Sequence, residues 1–78
     1  MSKHEGRIKE ILSEILSLDV SQINSETNID NTPSWDSLNY MRILTTLEAE
    51  FKVVFEPEEA IFMIGFDDIV STMDDKLG

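Results

Sequence analysis

The chain has 78 residues and no cysteine, so it has room for one small core and excludes disulfides, thiolate metal sites and a cysteine nucleophile. Sixteen acidic residues against six basic ones give a net charge of −10, which disfavours nucleic acid and anionic membranes as partners and favours proteins with basic surfaces. The longest nearly apolar run, residues 60–66, is too short to span a bilayer, and the N-terminal residues lack the apolar stretch of a signal peptide. We therefore expect one cytoplasmic domain over residues 1–78, monomeric and not inserted into membranes.

A first amphipathic helix is predicted close to the N-terminus. Its apolar residues recur at the spacing of one helix face, and they are Ile8, Ile11, Leu12, Ile15 and Leu16. His4 precedes this helix, in a terminus that we expect to be frayed. A single histidine so placed supports neither a metal site nor a Ser-His-Asp triad, so we predict no catalytic residues.

The helical pattern dissolves between residues 18 and 34, where Asp, Ser, Asn and Thr dominate. We predict a long loop that Val20, Ile23 and Ile29 hold against the core. A loop of this length is more often functional than idle. Residues 19–30 are the best candidate for a calcium-binding loop, but Ile23 occupies a ligand position and Asn24 the position of the required glycine, so we predict no metal site.

A second helix is predicted to begin at Asp36 or Ser37 and to end near Phe51. Asp36 suits the N-cap position, where its side chain accepts a backbone hydrogen bond and its charge complements the helix dipole. Trp35 and Tyr40 then have the spacing of a hydrophobic staple across the start of the helix.

The remaining sequence predicts two further helices. Pro57 suits the first position of a short third helix, which we expect Gly65 to end. Residues 53–55 are too few to predict a strand. Apolar spacing then marks a fourth helix through Phe66, Ile69, Val70, Met73 and Leu77. The predicted fold is all-α, a four-helix bundle with a long loop between helices 1 and 2 and a short third helix.

Two apolar groups exceed what such a bundle needs. Leu38, Met41 and Thr45 form a second stripe on helix 2, which either packs beneath the long loop or forms a docking patch rimmed by Glu48. In the run of residues 60–66 we expect most side chains to pack in the core. The alternative leaves Ile61 and Phe62 accessible to a partner or an acyl chain.

Ser37 is the candidate functional residue. At the first turn of a helix its side chain lies over unpaired backbone N–H groups, which stabilise an anion such as a phosphate ester. Asp36 beside it has the ligand chemistry to help hold magnesium while a phosphate is delivered. An Asp-Ser pair at a helix start usually means capping only, so these two residues do not decide the function by themselves.

The wider context points to a family. The residues WDSLNYMRILTTLEAEF, followed by FEPEEA, resemble the acyl carrier protein family over nearly the whole chain. The resemblance implies that Ser37 carries 4′-phosphopantetheine, transferred from coenzyme A by a phosphopantetheinyl transferase. It implies a carrier, not an enzyme, that holds acyl groups as thioesters and presents them to acyl-loading and acyl-processing enzymes with basic docking surfaces. The expected docking residues, mainly on helix 2, are Leu38, Met41, Glu48, Glu58 and Glu59.

The sequence also departs from the common pattern of the family. Ser34 and Trp35 replace the usual small pair before Asp-Ser-Leu, Asn39 follows it, and Arg42 stands where the family often has an acid. We therefore expect a discrete carrier of a specialised pathway, such as a polyketide or modified lipid pathway, rather than of general fatty acid synthesis. Two alternatives remain: an acidic helical interaction module without a prosthetic group, and an aminoacyl or peptidyl carrier.

Overall fold

The fold is all-α, as the sequence predicts. The computed structural model describes residues 4–77. These residues form helices α1 (Glu5–Leu16), α2 (Ser37–Phe51), α3 (Pro57–Ala60) and α4 (Phe66–Leu77), with a 3₁₀ turn, Val20–Gln22, inside the loop between α1 and α2. Within that range no helix is long and apolar enough to cross a membrane.

The predicted apolar stripes of α1, α2 and α4 meet in one core. The buried residues of these helices are Ile8, Ile11, Leu12, Leu16, Ile43, Leu44, Leu47, Phe66, Ile69, Val70 and Met73. α1 contacts α2, α4 and the 3₁₀ turn, so it lies centrally in the bundle. Burial of these side chains supplies the main driving force for folding.

The first turn of α1 is tied to the last turn of α2 on the surface. The Arg7 guanidinium donates to the Glu50 carboxylate, and this bond holds the pKa of Glu50 below its usual range. The His4 and Phe51 rings meet edge-on, with centroids 5.6 Å apart. The prediction of a frayed terminus is therefore wrong at His4, because its ring packs against α2.

The α1–α2 loop is anchored less by Val20 than the sequence predicts. Ile23 is buried and Ile29 is half-buried against the core, but Val20 is 43 % exposed. Val20 opens the 3₁₀ turn, and Asp19 caps that turn by accepting a hydrogen bond from the Ser21 N–H at 3.0 Å. The prediction for Val20 is wrong because this turn directs its side chain to solvent.

The third helix ends before Gly65 and not at it. α3 stops at Ala60, and Gly65 pairs instead with Asn28 of the loop in an isolated antiparallel bridge. The Ile29 N–H donates to the Ile64 carbonyl at 2.8 Å, and a Cβ at Gly65 would lie 3.3 Å from the Thr27 carbonyl oxygen. A side chain at position 65 would crowd this close approach of two backbones, which local sequence does not reveal.

Candidate functional site at the start of helix α2

Ser37 is the first residue of α2, and Asp36 is its N-cap. One Asp36 carboxylate oxygen accepts a hydrogen bond from the Asn39 N–H at 2.9 Å, and the Asp36 carbonyl accepts the first helical bond, from the Tyr40 N–H, at 2.8 Å. Both Asp36 and Ser37 are exposed. The helix start is thus in the predicted place, with the serine hydroxyl in solvent at the positive end of the helix dipole.

Asn39 fixes this helix start to the loop, a role that the sequence analysis missed. Its side-chain amide donates to the Ser34 carbonyl at 2.7 Å while its own backbone N–H is held by Asp36. The two contacts join the residue before Trp35 to the first turn of α2. An asparagine three residues after an N-cap was a usable signal, since such side chains favour bonds to nearby backbone.

Trp35 anchors the same junction from the interior. It is 2 % exposed within the core, and its backbone N–H donates to the Thr32 carbonyl at 2.9 Å. Among the described residues, nothing accepts a hydrogen bond from its indole Nε1. Trp35 therefore holds the loop by apolar packing. Tyr40, its predicted staple partner, is half-buried against the core and directs its hydroxyl to the Ala60 carbonyl.

An apolar groove of about 410 Å³ opens beside Ser37. Its lining consists of Ile29, Ser37, Tyr40, Met41, Ile61 and Ile64. One wall is thus α2, and the other is the segment that follows α3. A volume of this size falls within the range of about 300–1,000 Å³ that is typical of small-molecule sites.

The second stripe of α2 faces solvent. Leu38 is 68 % and Met41 is 56 % exposed, so the interpretation that they pack beneath the long loop is wrong. Ile61, Phe62 and Ile64 are exposed as well, at 65 %, 70 % and 44 %, so the expectation that most side chains of the run 60–66 pack in the core is wrong. Met63 and Phe66 are the members of that run that pack fully in the core. The docking role of Leu38 and Met41 stays a prediction.

The three glutamates predicted to dock partners differ in their surroundings. Glu48 accepts a hydrogen bond from the Phe55 N–H at 2.9 Å. Glu59 forms an ion pair with Lys76 at 2.8 Å and accepts from the Glu56 N–H, and these two contacts lower the pKa of its carboxyl group. Glu58 is exposed. Two of the three carboxylates therefore have internal roles that compete with docking.

The site fits a covalently attached phosphate ester. The Ser37 hydroxyl is accessible, and the dipole at a helix N-terminus stabilises an attached anion by about 0.3–1 kcal/mol. The neighbouring groove offers apolar surface to whatever extends from the ester. Between residues 4 and 77 no cluster of three or more His, Asp or Glu side chains is placed to hold a metal ion.

Comparisons with known proteins agree with this geometry. The family model for a phosphopantetheine attachment site matches residues 6–64. The acyl carrier protein of Streptococcus thermophilus (strain CNRZ 1066) is 30 % identical over 70 residues, which are 90 % of each chain. The acyl carrier protein of Exiguobacterium sp. (strain ATCC BAA-1283 / AT1b) is 31 % identical over 70 residues, 90 % of this chain and 89 % of that protein. The acyl carrier protein of Thermotoga maritima is 32 % identical over 73 residues, 94 % of this chain and 90 % of that protein. The chain therefore belongs to the acyl carrier protein family, whose members are carriers rather than enzymes, and its cofactor is covalently attached 4′-phosphopantetheine.

Proposed function

We propose that the Ser37 hydroxyl is the attachment site and that the chain carries acyl intermediates of a biosynthetic pathway. The observation that supports this most directly is the exposed serine at the first turn of α2, beside an apolar groove. The thiol at the end of the phosphopantetheine arm supplies the chemistry, since it binds an acyl group as a thioester.

Asp36 and Asn39 have separate roles in this proposal. Asp36 caps α2 and, being exposed, is placed to help hold magnesium beside the incoming phosphate during loading. Asn39 keeps the helix start in register with the loop through the Ser34 carbonyl. Ser37 therefore has a fixed position at the edge of the groove before a transferase binds.

Membership of the family implies a phosphopantetheinyl transferase and biosynthetic enzymes as partners in general. We propose Leu38 and Met41 as the apolar centre of the docking surface, because both are exposed on the face of α2 next to Ser37. Glu58 is the best placed of the predicted acidic docking residues. Charge complementarity with basic partners would mainly raise the association rate.

The pathway is proposed from the departures of this chain from the common pattern. Trp35 before the Asp-Ser-Leu motif and Arg42 within α2 support a discrete carrier of a specialised pathway. A cytoplasmic location and a monomeric state are part of the same proposal. The interaction module without a prosthetic group is disfavoured by the family match. Among residues 4–77, no contact favours an aminoacyl or peptidyl cargo.

A loading experiment tests the attachment site. The protein is incubated with coenzyme A, magnesium and a broad-specificity phosphopantetheinyl transferase, and its intact mass is measured. We expect the wild type to gain one phosphopantetheine and Ser37→Ala to gain none. Ser34→Ala, which removes the serine that lies three residues before Ser37, is the matched control and should load. Loading of Ser37→Ala, or no loading of the wild type, would contradict the proposal.

A further inference from the structure

Helix α2 carries its charges unevenly. Its acidic residues, Glu48 and Glu50, both lie near its C-terminal end. Residues 37–47 contain no acidic residue, and Arg42 is the one basic residue of the whole helix. The N-terminal two thirds of α2 are therefore positively charged in a chain whose net charge is −10. A partner that docks on this part of the helix meets a charge opposite to that of the protein as a whole.

Both carboxylates of α2 are occupied within the protein. The Glu50 carboxylate accepts from the Arg7 guanidinium, and the Glu48 carboxylate accepts from the Phe55 N–H at 2.9 Å. Arg42 gains no carboxylate from another element either. Among residues 4–77, no Asp or Glu side chain lies within ion-pair distance of Arg42. The positive charge of this helix is therefore not neutralised by the described part of the chain.

The Arg42 guanidinium is exposed and only loosely held. Its Nη1 atom lies 3.5 Å from the Asn39 Oδ1 atom, well beyond the separation of about 2.7–2.9 Å that is usual for a bond between a guanidinium and a carboxylate. Asp36, the acidic residue just before the helix, is engaged as the N-cap, since its carboxylate accepts the Asn39 N–H at 2.9 Å. Most N–H donors of Arg42 are thus available to a group from outside the chain.

Small side chains leave Arg42 accessible on its face of α2. Leu38, Arg42, Thr45 and Ala49 follow the helical spacing and are all exposed; we call these four residues the Arg42 face. The Thr45 hydroxyl donates to the Met41 carbonyl at 2.9 Å, so it does not compete for the guanidinium. Thr45 and Ala49 also line a shallow depression on this side of the helix. A partner can therefore approach α2 closely beside Arg42.

We propose that the Arg42 face binds a partner protein that presents an apolar side chain to Leu38 and a carboxylate to Arg42. A guanidinium binds a carboxylate through two parallel N–H···O bonds, whereas a lysine of the partner at the same place would be repelled. The partner surface is therefore of mixed charge, acidic opposite Arg42 and basic opposite the acidic remainder of the protein. It differs at this point from the uniformly basic surface that the net charge alone predicts. This inference rests on the proposed function, in which α2 is the docking helix.

The preference for a carboxylate is tested with two helical peptides on the protein without its prosthetic group. One peptide presents a leucine and a glutamate at the spacing of Leu38 and Arg42, and the other has glutamine in place of that glutamate. Dissociation constants come from NMR titration of the amides of the Arg42 face in about 0.15 M salt, where charges more than about 8 Å away are largely screened. The preference for the glutamate peptide should be about 1.4- to 5-fold larger in the wild type than in Arg42→Gln, which is the coupling expected of an exposed ion pair.

Two further variants separate Arg42 from the net charge of the protein. Lys52→Gln removes the same charge from an exposed residue at the C-cap of the same helix, and it should keep the wild-type preference. Arg42→Lys keeps the charge but loses the planar donor pair, and it should retain only part of the preference. Circular dichroism checks that each variant is folded, which is expected because both positions are exposed.

Three results would overturn the proposal. They are equal preferences in the wild type and Arg42→Gln, an equal loss of preference in Lys52→Gln, and the absence of peptide-induced shifts on the Arg42 face of the wild type. Shifts of the same amides that depend on protein concentration without peptide would also overturn it, since the face would then bind a second copy of the chain. Failure of the wild type to load at Ser37 would refute the proposed function, but the titration needs no prosthetic group and would still decide whether Arg42 selects a carboxylate.

Discussion

Two irregular regions flank Ser37, and they are held in different ways. The α1–α2 loop, residues 17–36, buries four side chains: Ile23, Thr27, Thr32 and Trp35. Residues 55–62, which contain α3 and are called the α3 segment below, bury none. The loop therefore shares in the cooperative core, whereas the α3 segment depends on a few contacts that can break without unfolding the bundle.

The polar contacts of the two regions also differ, in how far apart along the chain the bonded residues lie. In the loop, side chains bond to backbone only a few residues away. Asn31 is the clearest case, since its side chain donates to the Glu26 carbonyl at 2.7 Å and accepts from the Asn28 N–H at 2.9 Å. In the α3 segment, Tyr40 and Lys76 reach across from other helices. Ser37 thus has a rigid support on one side and an adjustable wall on the other.

Removal of Trp35 should show the largest effect. Trp35→Ala should lower the free energy of unfolding by about 3–5 kcal/mol, because a buried aromatic side chain is lost and a cavity remains. Urea unfolding followed by circular dichroism measures this. Phe62→Ala, an aromatic truncation at an exposed site of the α3 segment, should change stability by less than about 0.5 kcal/mol.

Trp35→Phe is the second control. In the wild type, the Trp35 indole N–H has no hydrogen-bond partner among the described residues. A phenyl ring at this position should therefore retain much of the packing and lose no hydrogen bond. Folded Trp35→Phe should still load at Ser37. A cost for Phe62→Ala that equals the cost for Trp35→Ala would break the contrast between the two regions.

Removal of the Asn31 side chain should show an intermediate effect. Asn31→Ala should lower the free energy of unfolding by about 1–2 kcal/mol, because bonds to Glu26 and Asn28 are lost but water reaches the exposed groups. The same urea titration measures it. Asn31→Asp keeps the oxygen that accepts from the Asn28 N–H and loses the amide donor, so its loss of stability should be smaller than that of Asn31→Ala. No change in Asn31→Ala would mean that the loop does not depend on its own polar contacts.

Much of this arrangement follows from local sequence. The apolar spacing of α1, α2 and α4 predicts their buried faces, since each face recurs at the helical period. Asp36 and Pro57 predict where α2 and α3 begin, because a cap acts through its nearest backbone groups. Ser37 is therefore located by sequence to the correct turn of the correct helix.

The remaining features depend on residues that are distant along the chain. The end of α3 at Ala60 is not evident from the sequence, because the apolar run continues to Phe66. The pairing of Gly65 with Asn28 accounts for this end, and that pairing exists only in the folded chain. The spacing of Leu38 and Met41 defines a face but not what covers that face. The bond from the Tyr40 hydroxyl to the Ala60 carbonyl likewise needs both helices in place.

The smallest effect is expected at the ion pair of the α3 segment. The Lys76 ammonium, followed by the Glu56 N–H, holds the pKa of the Glu59 carboxyl group below its usual value of 4.5. A carboxyl group with a lowered pKa in the folded state stabilises that state above its unfolded pKa, and the contribution is lost as the pH falls through the folded pKa. The α3 segment should therefore loosen only below about pH 4.5.

An NMR titration of the Glu59 carboxyl carbon should give a midpoint below that value in the wild type, and Lys76→Met should move it upward. Lys76 also lies over the Phe55 ring, and Lys9 lies over the Phe66 ring in the same way. Lys9→Met therefore removes the same charge from a matched site and should leave the Glu59 midpoint unchanged. An equal upward move in both variants would mean that Glu59 responds to the net charge of the protein and not to Lys76, and the α3 segment would lose one of the contacts that distinguish it from the loop.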